Sequence, residues 1–222
     1  MTVFPTINPL CKYKHIIWDW NGTLLDDAWL CVEVLNRILT GRGMTTTTLS
    51  EYQEHFDFPV ANYYVKLGFD FSVSGFDEVA RQYIKDYESQ LSRCRLQKGA
   101  AGIIEKFREG RFSQSVLSAS QSDSLNIALE AFGLKDFFDE IAGLDDYYAH
   151  SKVDIGKKLL KSIGASPEKV LLIGDTTHDY EVSRQMGIDC VLIPAGHQSK
   201  RRLLACGAQV CDSFEELYHF LL

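Results

Sequence analysis

The stretch HIIWDWNGTLLDD, residues 15–27, decides the architecture. Four residues with β-branched and aromatic character make a short apolar run, His15 to Trp18. Asp19 follows directly, and Asn21-Gly22 then lets the chain turn sharply. The spacing predicts a buried strand that delivers an aspartate to its carboxyl end. Alone, such an aspartate is usually a turn or cap residue, so its meaning depends on what else reaches the same place.

Working outward, further short apolar runs alternate with amphipathic stretches, the pattern of parallel strands linked by helices. The runs are Ser115 to Leu117, Lys169 to Ile173, Cys190 to Ile193 and a weaker one at Gln209 to Cys211. The first ends in Ser118, and the second in Gly174 and Asp175. Helical periodicity covers Gly102 to Arg108, Asp123 to Phe132, Val153 to Ile163, Tyr180 to Met186 and Phe214 to Leu221, the last opened by Ser213 and Glu216 at capping-box spacing. The segment 27–96 has no convincing buried strand and carries helical patterns such as Trp29, Val32, Leu35, Ile38 and Leu39, with Thr45 to Thr48 as a polar turn into a helix. The expected fold class is therefore α/β: a doubly wound, Rossmann-like parallel sheet built from 1–26 and 97–222, with an all-helical insert over 27–96.

Composition sets limits on function. A 222-residue chain with 45% hydrophobic and 24% charged residues and five prolines reads as an ordinary globular protein of at most two compact units. The net charge of −7 argues against nucleic acid or an anionic membrane as partner. The one basic run, Lys200 to Arg202, reads as a solvated helix face. The cysteines show no CxxC pair and no metal-ligand rhythm, which points to reduced, mostly buried thiols of a cytoplasmic protein. No apolar stretch approaches the length of a membrane span and no export signal is recognisable at the N-terminus. The expected assembly is a monomer or homodimer.

The chemistry lies where the strand ends meet. Ligands of open parallel sheets bind beyond the carboxyl ends of the strands. Asp19, Asp175 and, four residues on, Asp179 are brought to one such edge by the predicted topology. Three converging carboxylates repel one another and raise one another's pKa unless a hard cation neutralises them, and Mg2+ suits a few carboxylates plus water and phosphate oxygens. Ser118 offers a hydroxyl to a phosphate oxygen. Lys152, just ahead of a helix, could balance phosphate charge and hold the carboxylate of Asp19.

In order, Asp19-Trp-Asn-Gly-Thr-Leu, then Val116-Leu117-Ser118, then Lys152, then Gly174-Asp175-Thr-Thr-His-Asp179 resembles the four motifs of the haloacid dehalogenase-like hydrolases over nearly the whole chain. The branch it is most similar to contains phosphoglycolate phosphatases and beta-phosphoglucomutases, which carry a helical cap between the first and second motifs. The resemblance implies a Mg2+-dependent phosphatase acting on a small phosphorylated metabolite. Asp19 would attack phosphorus and form an aspartyl-phosphate that water then hydrolyses. The metal would be held by Asp19, the backbone carbonyl of Asn21, Asp175 and Asp179. Phosphoryl oxygens would be bound by Asn21, Gly22, Thr23, Ser118, Ala119, Ser120 and Lys152.

One position departs from that pattern. Phosphatases of this superfamily carry a second aspartate two residues after the nucleophile, as general acid and base; here it is Asn21, and an amide cannot give up and regain a proton at neutral pH. Loss of such a group costs about 10²–10⁴ in rate, so activated phosphate esters should turn over better than alkyl phosphates. His178 is the nearest imidazole in sequence that could replace it. Two rival readings follow: a carbon–phosphorus hydrolase with Lys66 of the insert as Schiff-base lysine, or a weakly active protein that binds a phosphorylated metabolite. The stretch EHFDFPVANYY is similar to the loop that such caps place over the site, which makes Glu54, His55 and Phe58 candidates for leaving-group contacts.

Overall fold

A computed structural model describes residues 12–72, 75–110, 112–144 and 152–221. Strand β1 (His15–Trp18) is completely buried, as a central strand covered on both faces must be. Its side chains alternate between two cores. Ile16 and Trp18 join the larger one, where Trp18 stacks on Phe107 at 5.7 Å and meets Phe214 edge-on at 5.9 Å. Ile17 faces the other way, toward Leu117, Val153 and Leu172. The polar atoms this buries are satisfied: Trp18 donates to Gln114 Oε1 at 2.9 Å, and His15 Nε2 lies 2.8 Å from Ser115 Oγ.

After β1 the chain forms β2 (Leu25–Asp26), then helices α1 (Ala28–Gly41), α2 (Leu49–His55), α3 (Val60–Lys66) and α4 (Phe76–Glu88), and returns through β3 (Arg95–Leu96). β2 and β3 pair antiparallel, Leu25 with Leu96 and Asp26 with Arg95, so a two-residue ribbon ties together the points where the helical insert leaves and rejoins the sheet. Thr48 and Glu51 cap α2 reciprocally. The remainder is α5 (Ala100–Glu109), β4 (Ser113–Gln121), α6 (Ser122–Ala131), β5 (Glu140–Leu144), α7 (Lys152–Ile163), β6 (Val170–Gly174), α8 (Thr177–Met186), β7 (Asp189–Leu192), α9 (Lys200–Ala205), β8 (Gln209–Val210) and α10 (Phe214–Phe220).

The sheet is six-stranded, parallel throughout, in the order β5-β4-β1-β6-β7-β8. Connections run one way from β1 to β4 and β5 and the other way from β6 to β7 and β8, so the topological switch point falls between β1 and β6. The fold class is α/β, Rossmann-like. Three sequence expectations need correction. The strand carrying Ser118 runs on to Gln121, with its register against β5 broken between Leu117 and Gln121. β5 and the β2–β3 ribbon were not foreseen. Ser213 caps α10, but Glu216 reaches back to the amide of Asp212 rather than completing a capping box.

The basic run is not simply solvated: on α9, Arg201 pairs with Glu54 and Arg202 lies 3.3 Å from Asp57, both in the insert. Among the described cysteines all are free thiols. No described helix is long and apolar enough to cross a membrane.

Candidate active site

At the switch point β1 ends in Asp19, whose backbone N–H donates to Ile173 O on β6 at 2.8 Å. β6 ends in Asp175. Thr176 then caps α8 through its side chain, which places Asp179 in the first helical turn. Carboxylate oxygens of Asp19, Asp175 and Asp179 all lie within 4.8 Å of one another and all three residues are buried. Lys152, the first residue of α7, enters the group from below: its Nζ donates to Asp19 Oδ1, and to Asp179 Oδ1 at 2.6 Å.

The electrostatics follow from burial and company. Burial pushes the Asp19 carboxyl up against the pull of Lys152, to about 6. Asp175, buried beside Asp19 and Asp179, rises to about 8. In Asp179 burial is outweighed by Lys152, and its pKa falls. Lys152 is held charged, the two carboxylates outweighing its own burial. Thr23 Oγ1 lies 3.1 Å from both Asp19 Oδ2 and Asp175 Oδ1. The hydroxyl has one proton, which it shares between the two carboxylates as a bridging donor. An all-oxygen set of three buried carboxylates, two of them with raised pKa, fits a hard divalent cation such as Mg2+.

A chamber of about 340 Å³ opens above Asp19, roofed by the helical insert. Ser118, Ala119, Ser120, Asn21 and Lys152 line its floor. Asn21 is fully engaged: its carbonyl accepts from Ser120 Oγ at 2.6 Å and Ser118 Oγ at 3.4 Å, while its amide donates to Asp27 Oδ2 and approaches Tyr87 Oη, each at 2.9 Å. The Gly22 amide, an expected phosphate donor, is already taken by Asp27 Oδ1 at 2.8 Å and Leu25 O at 2.9 Å.

The cap-loop assignments divide. Phe58 lines the chamber, but His55 is exposed at the end of α2 and Glu54 pairs outward with Arg201; the other wall positions in that stretch are Phe56, Val60, Tyr63 and Tyr64, with Tyr52 just ahead of it. Tyr52 lies on the inner face of α2 and Phe56 follows at its C-cap, whereas His55 points away. Lys66 is exposed at the end of α3 and is not among the chamber residues, which removes the observation on which a Schiff-base reaction rested. His178 does reach the chamber wall, stacked on Phe58 at 4.5 Å.

Sequence reasoning missed Asp27 and His197. Asp27 accepts from Gly22, Asn21 and, at 2.6 Å, Tyr87, and His197 Nε2 lies 3.4 Å from its Oδ1. His197 Nδ1 meets Tyr52 Oη at 3.0 Å, and its backbone N–H donates to Asp175 Oδ2 at 2.6 Å. Burial alone would lower the His197 pKa, but Asp27 beside it lifts it to about 9. The signal that could have found His197 was available: Gly196-His197 closely follows the apolar run Cys190 to Ile193, a further strand aimed at the same edge.

The sequence profile of the haloacid dehalogenase-like hydrolases matches residues 16–193, from β1 through β7. The chain belongs to that family. The hydrolase is 23% identical over 196 residues to a phosphoglycolate phosphatase of Synechococcus elongatus, covering 86% of this chain and 89% of that one. It is 23% identical over 212 residues to the probable phosphatase IndB of Dickeya dadantii, covering 91% and 90%. Its fold superposes on a haloacid dehalogenase-like hydrolase from Streptococcus pneumoniae with a TM-score of 0.81 at 18% identity, over 95% of this chain and 99% of the other.

Proposed function

We propose that this hydrolase is a phosphoric monoester hydrolase for a small phosphorylated molecule, with residues 27–96 acting as its cap domain. The observation that carries the reading is the gathering of Asp19, Asp175 and Asp179 within 4.8 Å beneath a chamber, with Lys152 between them. The phosphatase names of two relatives that match along most of the chain support it.

Asp19 lies at the strand end nearest the chamber and acts as nucleophile, its Oδ forming the bond to phosphorus as the ester oxygen leaves with its electron pair. Lys152 holds Asp19 ionised and in place. Ser118 and Ser120, on the irregular end of β4, turn their hydroxyls to the phosphoryl oxygens when substrate displaces the Asn21 carbonyl. Asp19, Asp175, Asp179 and the backbone carbonyl of Asn21 would hold Mg2+. Bound there, the cation neutralises charge on the nucleophile and the phosphoryl group. Water then attacks phosphorus, the aspartyl–phosphate bond breaks, and the carboxylate of Asp19 is regenerated.

The test is acetyl phosphate hydrolysis by wild type and Asp19→Asn with and without Mg2+, with intact-protein mass spectrometry for a phosphorylated intermediate. Loss of turnover in Asp19→Asn together with dependence on Mg2+ supports the reading. Turnover that survives Asp19→Asn ends it.

A further inference from the structure

The organic half of the substrate is written in the chamber walls. Opposite the carboxylates the insert supplies Tyr52, Phe56, Phe58, Tyr63, Tyr83 and Tyr87, and the sheet side adds Trp20 and Leu125. Among the described residues lining the chamber, Lys152 is the one lysine or arginine, and its ammonium is spent on Asp19 and Asp179. His197 is likewise engaged at both ring nitrogens, by Asp27 and Tyr52. Of the other lining groups, Asp27 and Glu88 are acids, and the imidazole of His178 lies against Phe58 with its Nδ1 turned to Glu181 at 3.7 Å. A carboxylate or second phosphate on the leaving group would therefore be desolvated against aromatic rings and acids with no free cation to receive it. A neutral ring would instead gain apolar burial and ring–ring contact.

An independent observation narrows the class further. Asn21, two residues after Asp19 on the chamber floor, has its amide and carbonyl both hydrogen-bonded and carries no proton it can give up. An amide in place of an acid beside the nucleophile favours a leaving oxygen that departs as a stable anion, which phenols do and simple alcohols do not. The volume of about 340 Å³ lies at the small end of the ligand-pocket range of about 300–1,000 Å³, room for one or two rings.

Resting on the phosphatase reading, we infer that the substrate is an aryl phosphate, a phosphate monoester of an uncharged phenol whose ring occupies the aromatic chamber. In the first step the bond from Asp19 to phosphorus forms and the phosphorus–phenolate bond breaks, the phenolate carrying away the electron pair. In the second, water attacks phosphorus, the carboxylate of Asp19 leaves, and the water's protons are shared between inorganic phosphate and the phenolate, giving phenol.

The experiment compares kcat/KM of the wild-type enzyme with Mg2+ on phenyl, 2-naphthyl, 4-carboxyphenyl and benzyl phosphate, phosphoglycolate and acetyl phosphate. Phenyl and 2-naphthyl phosphate are expected to exceed phosphoglycolate by at least about 100-fold. Benzyl phosphate should keep a similar KM but lose about 100-fold or more in kcat, because its alkoxide needs the missing proton. The 4-carboxyphenyl ester should fall about tenfold below phenyl, and Ile84→Lys, which puts an ammonium in the wall, should close that gap. Phosphoglycolate turned over as well as phenyl phosphate overturns the inference, as does benzyl phosphate with an undiminished kcat. Asp19-dependent hydrolysis of acetyl phosphate without aryl phosphates keeps the phosphatase and sinks the aryl substrate. Absence of Asp19-dependent hydrolysis across the whole series sinks both.

Discussion

The side-chain amide of Asn21 donates to Asp27 Oδ2 at 2.9 Å, so the residue two positions after Asp19 is locked to a buried, ionised carboxylate. Asn21→Asp alone would set two carboxylates within hydrogen-bond distance in a buried site, where they can coexist only by sharing a proton. A carboxyl pKa raised on folding contributes stability at low pH that is lost as pH rises through the raised value. The single variant should therefore lose Tm, and lose more at pH 8 than at pH 5. The exchange Asn21→Asp with Asp27→Asn keeps the charge and the bond. It should retain a Tm close to wild type and hydrolyse alkyl esters such as phosphoglycolate about 10²–10⁴ faster than wild type. A double variant that is folded but no faster would mean that proton supply at position 21 does not limit the reaction.

Magnesium should stabilise the protein in a pH-dependent way. Asp19 is lifted to about 6 and Asp175 to about 8 by burial and their neighbours. Both pKa values lie above the unfolded carboxyl value, so without a cation stability declines as pH rises through that window. A divalent ion needs the ionised carboxylates and offsets the loss. At about 100 times its Kd it adds about 2.7 kcal/mol, or about 5–10 °C for a chain of this size. The Tm gain measured by calorimetry should be larger at pH 8.5 than at pH 5.5. An equal gain at both values would show that the ion binds somewhere other than these carboxylates.

Lys152 pairs with Asp19 and Asp179 while its side chain is 4% exposed. Lys152→Met keeps most of the stem and removes the charge, leaving two buried carboxylates short of a cation. Breaking a buried pair in this way costs about 3–5 kcal/mol. Urea unfolding should show that loss at pH 7.5 without metal, and excess Mg2+ should restore more stability to the variant than it adds to wild type. An unchanged unfolding midpoint would remove Lys152 from the charge balance of the site.

What could be read from the sequence were the features that obey a local rule. β1 and β6 are fully buried central strands, and such strands show as unbroken apolar runs. Their terminal aspartates followed, and Asp179 with them, because a helix opening just after the strand turns the residue four positions on, in its first turn, back to the strand end. β5 was hidden because Glu140–Leu144 is an edge strand, mostly half-exposed and containing Gly143, so it has neither run nor clean alternation. The ribbon at Leu25–Asp26 is two residues long, below any periodic signal. Asp27 carries no local signal of its own, and its partner His197 is 170 positions away. No local pattern links them; only the closure of the insert onto the loop after β7 does. His55 was misplaced for the opposite reason: motif likeness located the right stretch, but helical phase, which decides the facing side, turned His55 outward and Tyr52, on the same helix, inward.

Gly22 tests whether the site's geometry depends on close backbone approach. It adopts φ +77°, and a Cβ there would lie 2.3 Å from Asp175 Oδ2 and 2.5 Å from His197 Cδ2. Gly133 has a similar φ of +67° with nothing within 4 Å of its would-be Cβ. Gly133→Ala should thus report the left-handed strain alone, about 1–2 kcal/mol. Gly22→Ala carries the same strain plus a collision with two buried side chains, and Asp175 is hemmed in further by Gly196, whose would-be Cβ lies 2.2 Å from the same Oδ2. Its loss should be at least about twice that of Gly133→Ala. It should also abolish the Mg2+-induced rise in Tm, because displacing Asp175 dismantles the ligand set. Equal losses in the two variants, with the Mg2+ response intact in Gly22→Ala, would mean that the approach of Gly22 to Asp175 is not what holds the carboxylates together.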